Sequence, residues 1–106
     1  MLRCSYNVGM RELVFEWNAK KAAENRRKHR VSFDEAKSAF LDDNARVIAD
    51  PEHSDDEDRF VLLGLSVQLR LLVVVHCYRE AENVIRIISA RKADPSERRQ
   101  YSEFLS

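Results

Sequence analysis

Apolar and polar positions alternate with two different periods along this chain, and the switch falls near its middle. Residues 13–17, Leu-Val-Phe-Glu-Trp, are β-branched and aromatic enough to read as a short strand. Asn18 then stands where a helix N-cap belongs. Residues 19–29 follow with a narrow alanine stripe, a wide basic face, and Lys28 and His29 at the C-terminal end, where positive charge suits the helix dipole. Ser32 and Glu35 have the spacing of a capping box, and Phe33, Ala36 and Phe40 give a helical stripe that runs to about Leu41. Two short helices joined by a tight turn are predicted.

From Arg59 onward the period becomes two. Residues 45–49 read as a brief strand, and Asp50-Pro51 opens an acidic loop that lasts to Asp58. Strands are predicted over 59–65, 69–78 and 84–90, with turns near 66–68 and 79–83. The run Leu71-Leu72-Val73-Val74-Val75 is apolar at every position, the mark of a central strand buried on both faces. Asp94-Pro95-Ser96-Glu97 is a second helix start, and Tyr101, Phe104 and Leu105 form the packing stripe of that helix. The class is α+β: an N-terminal strand and helix pair, an antiparallel sheet of three or four further strands, and a C-terminal helix. Residues 1–9 show no period and are expected to be a loose extension ahead of a single domain spanning 10–106.

With 106 residues, 44% hydrophobic and 34% charged, the chain has the composition of one folded domain. Its longest nearly apolar run, residues 60–75, is broken by Gly64, Ser66, Gln68 and Arg70, short of the ~18 apolar residues a membrane span needs. Cys4 and Cys77 make no disulfide framework, and no secretory signal pattern opens the chain, so a cytoplasmic location is expected. Net charge is zero, but unevenly spread. Residues 1–33 hold eight Lys/Arg against three acids, residues 34–58 two against ten, and residues 59–106 eight against five. A fold can therefore segregate a basic face able to meet phosphates from an acidic one.

Several stretches together resemble the BrnT family of type II toxins: Phe15-Glu16-Trp17-Asn18, Asn25-Arg26-Arg27-Lys28-His29, Val31-Ser32-Phe33-Asp34-Glu35-Ala36, Glu57-Asp58-Arg59, Val73-Val74-Val75-His76, and above all Ile85-Arg86-Ile87-Ile88-Ser89-Ala90-Arg91. The likeness runs in order from about Met10 to Phe104. Where the family usually has Gly after the Lys-His pair, Arg30 stands here, and it must either take a left-handed C-cap at some cost or change the turn. The resemblance implies a RelE-like fold and a ribonuclease that arrests translation. It also implies a BrnA-like antitoxin that neutralises the toxin in a hetero-oligomer and carries any contact with operator DNA.

Cleaving RNA without metal requires a group to take the 2′-OH proton, cations for the pentacovalent phosphorane, and an acid for the leaving oxygen. Arginine suits the second role, because its planar fork pairs with two phosphate oxygens and keeps its charge. Arg86 and Arg91 are the leading candidates. Strict alternation puts them on opposite faces unless the strand bends after Ser89. An internal ion pair of Arg86 with Glu57 or another acid and a strand-end cap for Arg91 are the structural alternatives. Arg59 opens its strand beside the acidic loop, where it could serve either chemistry or an ion pair.

His76 could be base or acid near neutral pH, or a hydrogen-bonded core histidine. Tyr101 could reach the sheet with its hydroxyl or simply pack. Lys28 and Lys92 are candidate RNA contacts. Asp55, Asp56 and Asp58, or a sheet edge beside them, form a candidate docking surface for a basic antitoxin segment. No ligand-like spacing of Cys, His or acids calls for a metal or other cofactor. A non-catalytic binding module or a DNA-binding regulator on the same fold is the alternative function. The helix pair fits the latter poorly, since its second helix is acidic at Asp34 and Glu35.

Overall fold

The structure, a computed structural model, describes residues 2–8, 11–50, 59–79 and 83–105, and for residues 2–8, 11 and 12 the backbone path alone. Its elements run β1 (Leu2–Val8), β2 (Arg11–Trp17), α1 (Ala19–His29), α2 (Phe33–Ser38) with a 3₁₀ turn (Ala39–Leu41), β3 (Arg46–Ala49), β4 (Arg59–Leu65), β5 (Leu71–Arg79), β6 (Val84–Lys92) and α3 (Pro95–Leu105). The strands form one sheet in the order β1-β2-β6-β5-β4-β3. One expectation is corrected. Residues 2–8 are not loose but form β1, an edge strand paired antiparallel with β2 from Leu2↔Trp17 to Val8↔Arg11. The strands that follow the helix pair, β3 through β6, are antiparallel, and β2 joins them in parallel beside β6 with Glu16 next to Arg86. Parallel pairing joins segments far apart in sequence, and local periodicity carries no sign of it.

The helix boundaries follow from their caps. Asn18 accepts from the Lys20 and Lys21 amides, and Ser32 Oγ accepts from the Glu35 amide. At α3 the box is complete, since Asp94 Oδ1 accepts from the Glu97 amide while Glu97 Oε1 accepts from the Asp94 amide. Arg30 adopts the left-handed C-cap (φ 61°, ψ 31°), so the turn keeps its shape without the glycine. The α2 box stays half-made. Glu35 turns inward instead, accepting Ser66 Oγ at 2.7 Å and Arg70 Nε at 2.8 Å, with Arg70 Nη2 on its other oxygen. Arg70 Nη2 also donates to the Arg30 carbonyl at 3.1 Å. The β4–β5 turn is thereby locked onto the helix pair. Leu69 sits in that turn at φ 62°, which is why β5 begins at Leu71 rather than at 69.

The core lies between the sheet and the α1–α2 pair. Phe15, Val31, Leu72 and Val74 are fully buried there with Phe33, Ala36, Ile85 and Ile87. Each such side chain removed from water contributes about 1.5–3 kcal/mol. Gly64 marks the closest approach of β4 to the 3₁₀ turn, because a Cβ there would stand 2.8 Å from the Ala39 carbonyl oxygen. The central strand β5 is buried on both faces, as its unbroken apolar run predicts, with Val73 and Cys77 covered on the side away from these helices. α3 crosses the far end of that second side. Only Tyr101 of its expected stripe is buried; Phe104 and Leu105 are half exposed, and Arg46 lies 4.5 Å over the Phe104 ring. Among the described residues no helix is long and apolar enough to cross a membrane.

Candidate active site

Residues directly opposite one another in neighbouring strands share a face, so the register fixes what each face carries. Cys77 pairs with Arg59 on β4 and with Arg86 on β6, and Arg86 in turn pairs with Glu16 on β2. Arg59, Cys77, Arg86 and Glu16 thus form one row across four strands, on the side of the sheet away from α1 and α2. Arg79, two residues beyond Cys77, extends the same face. Glu16 is almost wholly buried, and its Oε2 meets Arg86 Nε at 3.4 Å and Arg79 Nε at 4.0 Å. Cation, carboxylate and cation are packed together at the end of this face away from α3. The side chains of Arg86 and Arg79 remain 30% and 46% accessible.

The bend needed to bring Arg91 onto this face exists. Val75 pairs with Ser89 but His76 pairs with Ile87, which leaves Ile88 as the extra residue of a β-bulge. Beyond the bulge the alternation is reversed, so Arg91, opposite Val73, lies on the same side as Arg86, opposite Cys77. Those partners are four positions apart on β5, about 13 Å along the strand. Arg91 also has a local occupation. Its Nη1 and Nη2 donate to the two Glu97 oxygens at 2.8 Å each, and this fork raises the Arg91 pKa and holds the Glu97 carboxyl below its usual range against the opposing effect of burial. Arg91 therefore ties β6 to α3, the strand-end role named as its structural alternative. Arg86 likewise has the internal ion pair anticipated for it, with Glu16.

The structure does not bring His76 or Tyr101 to the arginine row. His76 is fully buried on the helix-covered face, between the rings of Phe40, Phe60 and Tyr78, with Nδ1 3.1 Å from the Val74 carbonyl. Burial pushes its pKa down to about 4, so at neutral pH it is an uncharged core residue. Tyr101 donates its hydroxyl to Asp42 Oδ2, which also accepts the Leu65 amide at 2.8 Å. Burial and that carboxylate push the tyrosine up to about 12, while the donated hydrogen bonds outweigh burial and hold Asp42 low. The pair straps α3 to the β3–β4 side of the sheet. Lys92 lies on the helix side, opposite Leu72, and its charge helps lower Glu35 after the larger effect of Arg70. Asp55, Asp56 and Asp58 lie outside the described residues.

Lys28 is placed differently. β2 ends at Trp17, so β6 beyond Arg86 has a free outer edge, and Asn25 of α1 closes it. Its amide oxygen accepts from the Ala90 N–H at 3.1 Å and its Nδ2 donates to the Ala90 carbonyl at 2.8 Å. Beside this junction Lys21, Glu24, Lys28 and His29 line a cleft of about 260 Å³ with Ile88 and Ser89. Ser89 belongs to the same face as Arg86, so a basic path leads from the arginine row around the strand edge onto α1. Reading one residue at a time overlooked Glu16, Arg79 and Asn25. The signal for Glu16 was present as a lone acid inside a strand of otherwise apolar residues, 13–17. Among the described residues no three His, Cys, Asp or Glu side chains converge to hold a metal ion.

The family described as the ribonuclease toxin, BrnT, of type II toxin–antitoxin systems matches residues 17–97. The chain belongs to the BrnT family. The BrnT match therefore takes in Arg59, Arg79, Arg86 and Arg91, and leaves Glu16 one residue before its start. A crystal structure at 1.1 Å of the BrnT ribonuclease toxin of Brucella abortus has a similar fold, with a TM-score of 0.59 at 21% identity over 76% of this chain and 95% of that one. No curated protein matches the sequence. As a BrnT-family member, this chain is a ribonuclease toxin of a type II system at the level of its family, and such a system implies an antitoxin partner.

Proposed function

We propose that this chain is a cytoplasmic endoribonuclease of RelE-like build. It cleaves RNA across the arginine row without a metal, arrests translation, and is neutralised by a BrnA-like antitoxin in a hetero-oligomer that meets operator DNA only through the antitoxin. The observation that carries the reading is the convergence of Arg59, Arg79 and Arg86 at one end of one sheet face. Guanidinium groups preorganised there stabilise the charge that builds on a phosphorane, where fixed cations are worth most. Arg86 is the principal phosphate ligand, with Arg59 and Arg79 beside it. Lys28 and the α1 cleft continue the contact along the RNA strand. Arg91 acts through α3, because its fork is occupied by Glu97. His76 and Tyr101, buried in other parts of the fold, hold structure. Asp55, Asp56 and Asp58 attract a basic segment of the antitoxin.

The test is cleavage of a defined RNA in excess EDTA by the wild type and by Arg86→Lys, with thermal unfolding as the folding control. Lysine keeps the charge and loses the fork, so cleavage should fall about 10-fold or more, at least ~1.4 kcal/mol of transition-state stabilisation. A wild type that cuts no RNA, or an Arg86→Lys protein that is folded and fully active, would overturn the reading in favour of a binding module.

A further inference from the structure

We infer that Glu16 is a positioning residue, a buried carboxylate that sets the geometry of two guanidinium groups, Arg86 and Arg79, for one phosphodiester. The inference rests on the proposed ribonuclease reading for its consequence in catalysis and on the geometry of the row for its existence. Glu16 is 3% exposed, yet it lies on the face of the sheet that carries the arginines rather than in the core under the helices. A carboxylate in such a place is costly unless paired. Among the described side chains, the two cations that meet it come from strands on the far side of β2: β6 next to it and β5 beyond.

The two approach the same oxygen, Oε2, through Nε at 3.4 Å and 4.0 Å, as charge contacts rather than directed hydrogen bonds. One buried carboxylate thus draws two guanidinium groups toward a common point, and holding both near it before substrate arrives removes an ordering step from the reaction. Parallel pairing is what makes this possible. It sets Glu16 directly beside Arg86, whereas the hairpin partner of β2 is β1, on its other edge.

Removing the charge of Glu16 has two opposed effects. It loosens both arginines, which lowers turnover, and it takes a negative charge away from the phosphate site, which strengthens attraction for RNA. A purely structural acid would do neither once the variant is folded. The diagnostic result is therefore a split. In Glu16→Gln, turnover should fall about 10-fold, while the dissociation constant for an uncleavable RNA carrying 2′-deoxy at the scissile position stays level or tightens. In the Arg86→Lys background the same Gln substitution should cost less than in the wild type, because one of the two groups it positions has already lost its fork.

A second measurement stands apart from cleavage. By NMR, the Nε–H groups of Arg86 and Arg79 should be ordered in the wild type and fall to an order parameter below about 0.6 in Glu16→Gln. Glu16→Asp, which withdraws the carboxylate by one methylene, serves for the same readings should Gln unfold the sheet. Unchanged order parameters would overturn the inference whether or not the protein cuts RNA. So would unchanged turnover, or a loss that multiplies undiminished with that of Arg86→Lys. A wild type inactive on RNA would instead overturn the ribonuclease reading, and the order parameters would still decide the role of Glu16.

Discussion

The two faces of the sheet use the same kinds of side chain for opposite ends. On the helix-covered face, charge is neutralised or silenced. Glu35 is enclosed by Arg70 and Ser66, and His76 is so deeply buried that it stays neutral at physiological pH. On the other face, charge is kept in contact with water. Arg79 and Arg86 remain part-exposed around Glu16, and α3 covers only the end marked by Arg91 and Tyr101. Perturbed titration alone does not separate the faces, because the largest shifts, at His76 on one and Tyr101 on the other, both belong to groups that hold the fold. The lesson is that location relative to solvent decides what a charged residue is for.

That contrast can be broken from either side. The largest effect is expected from Arg70→Ala, which leaves the Glu35 carboxylate buried with only Ser66 Oγ at its side-chain oxygens and frees the β4–β5 turn. The variant should lose about 3 kcal/mol of stability in urea unfolding. Its folded fraction should cleave RNA at the wild-type rate. A large drop in turnover with stability intact would erase the division between the faces.

His76→Phe sharpens the comparison through pH. The histidine has an ordinary pKa of 6.5 when unfolded and about 4 when folded. Between those values the unfolded chain binds more protons, so stability falls as pH falls through that window. From pH 7 to pH 5 the wild type should lose about 2 kcal/mol on this ground, and His76→Phe should lose almost none of it. The lowered carboxyls of Glu35, Asp42 and Glu97 contribute stability that is lost only at lower pH, as each is protonated through its depressed folded value. Parallel urea titrations at the two pH values check the difference.

Tyr101→Phe should have the smallest effect. It removes the hydroxyl that α3 offers to Asp42, at a cost of about 1–2 kcal/mol in thermal unfolding. Turnover of the folded protein should not change. A loss of cleavage that exceeds the loss of folding would return Tyr101 to the chemistry.

Local signals in the sequence were read well where local chemistry makes the structure. Asn18, Ser32 and Asp94 cap their helices, the long strands fall within two residues of expectation, and Arg30 takes the left-handed turn the missing glycine required. What stayed hidden depends on pairing between distant segments. β1 has no helix or strand period to announce it, and it exists through its partner β2. Glu35 matched a capping box by spacing, but Arg70, 35 residues away, drew its carboxylate elsewhere. The arginines were legible as chemistry and not as a site, because only the register of β2, β4 and β5 against β6 shows which of them meet.

The extra residue at Ile88 works as a parity bit for everything after it in β6. A substitution there changes one side chain, whereas its deletion would invert the remainder of the strand. Arg91 would then turn from Glu97 toward the helices, and Ala90, whose backbone Asn25 grips, would bring its neighbours round with it. The strand thus tolerates changes of spelling far better than changes of length. Its single-residue count is as much a part of the inheritance of this fold as any of the arginines that it aims.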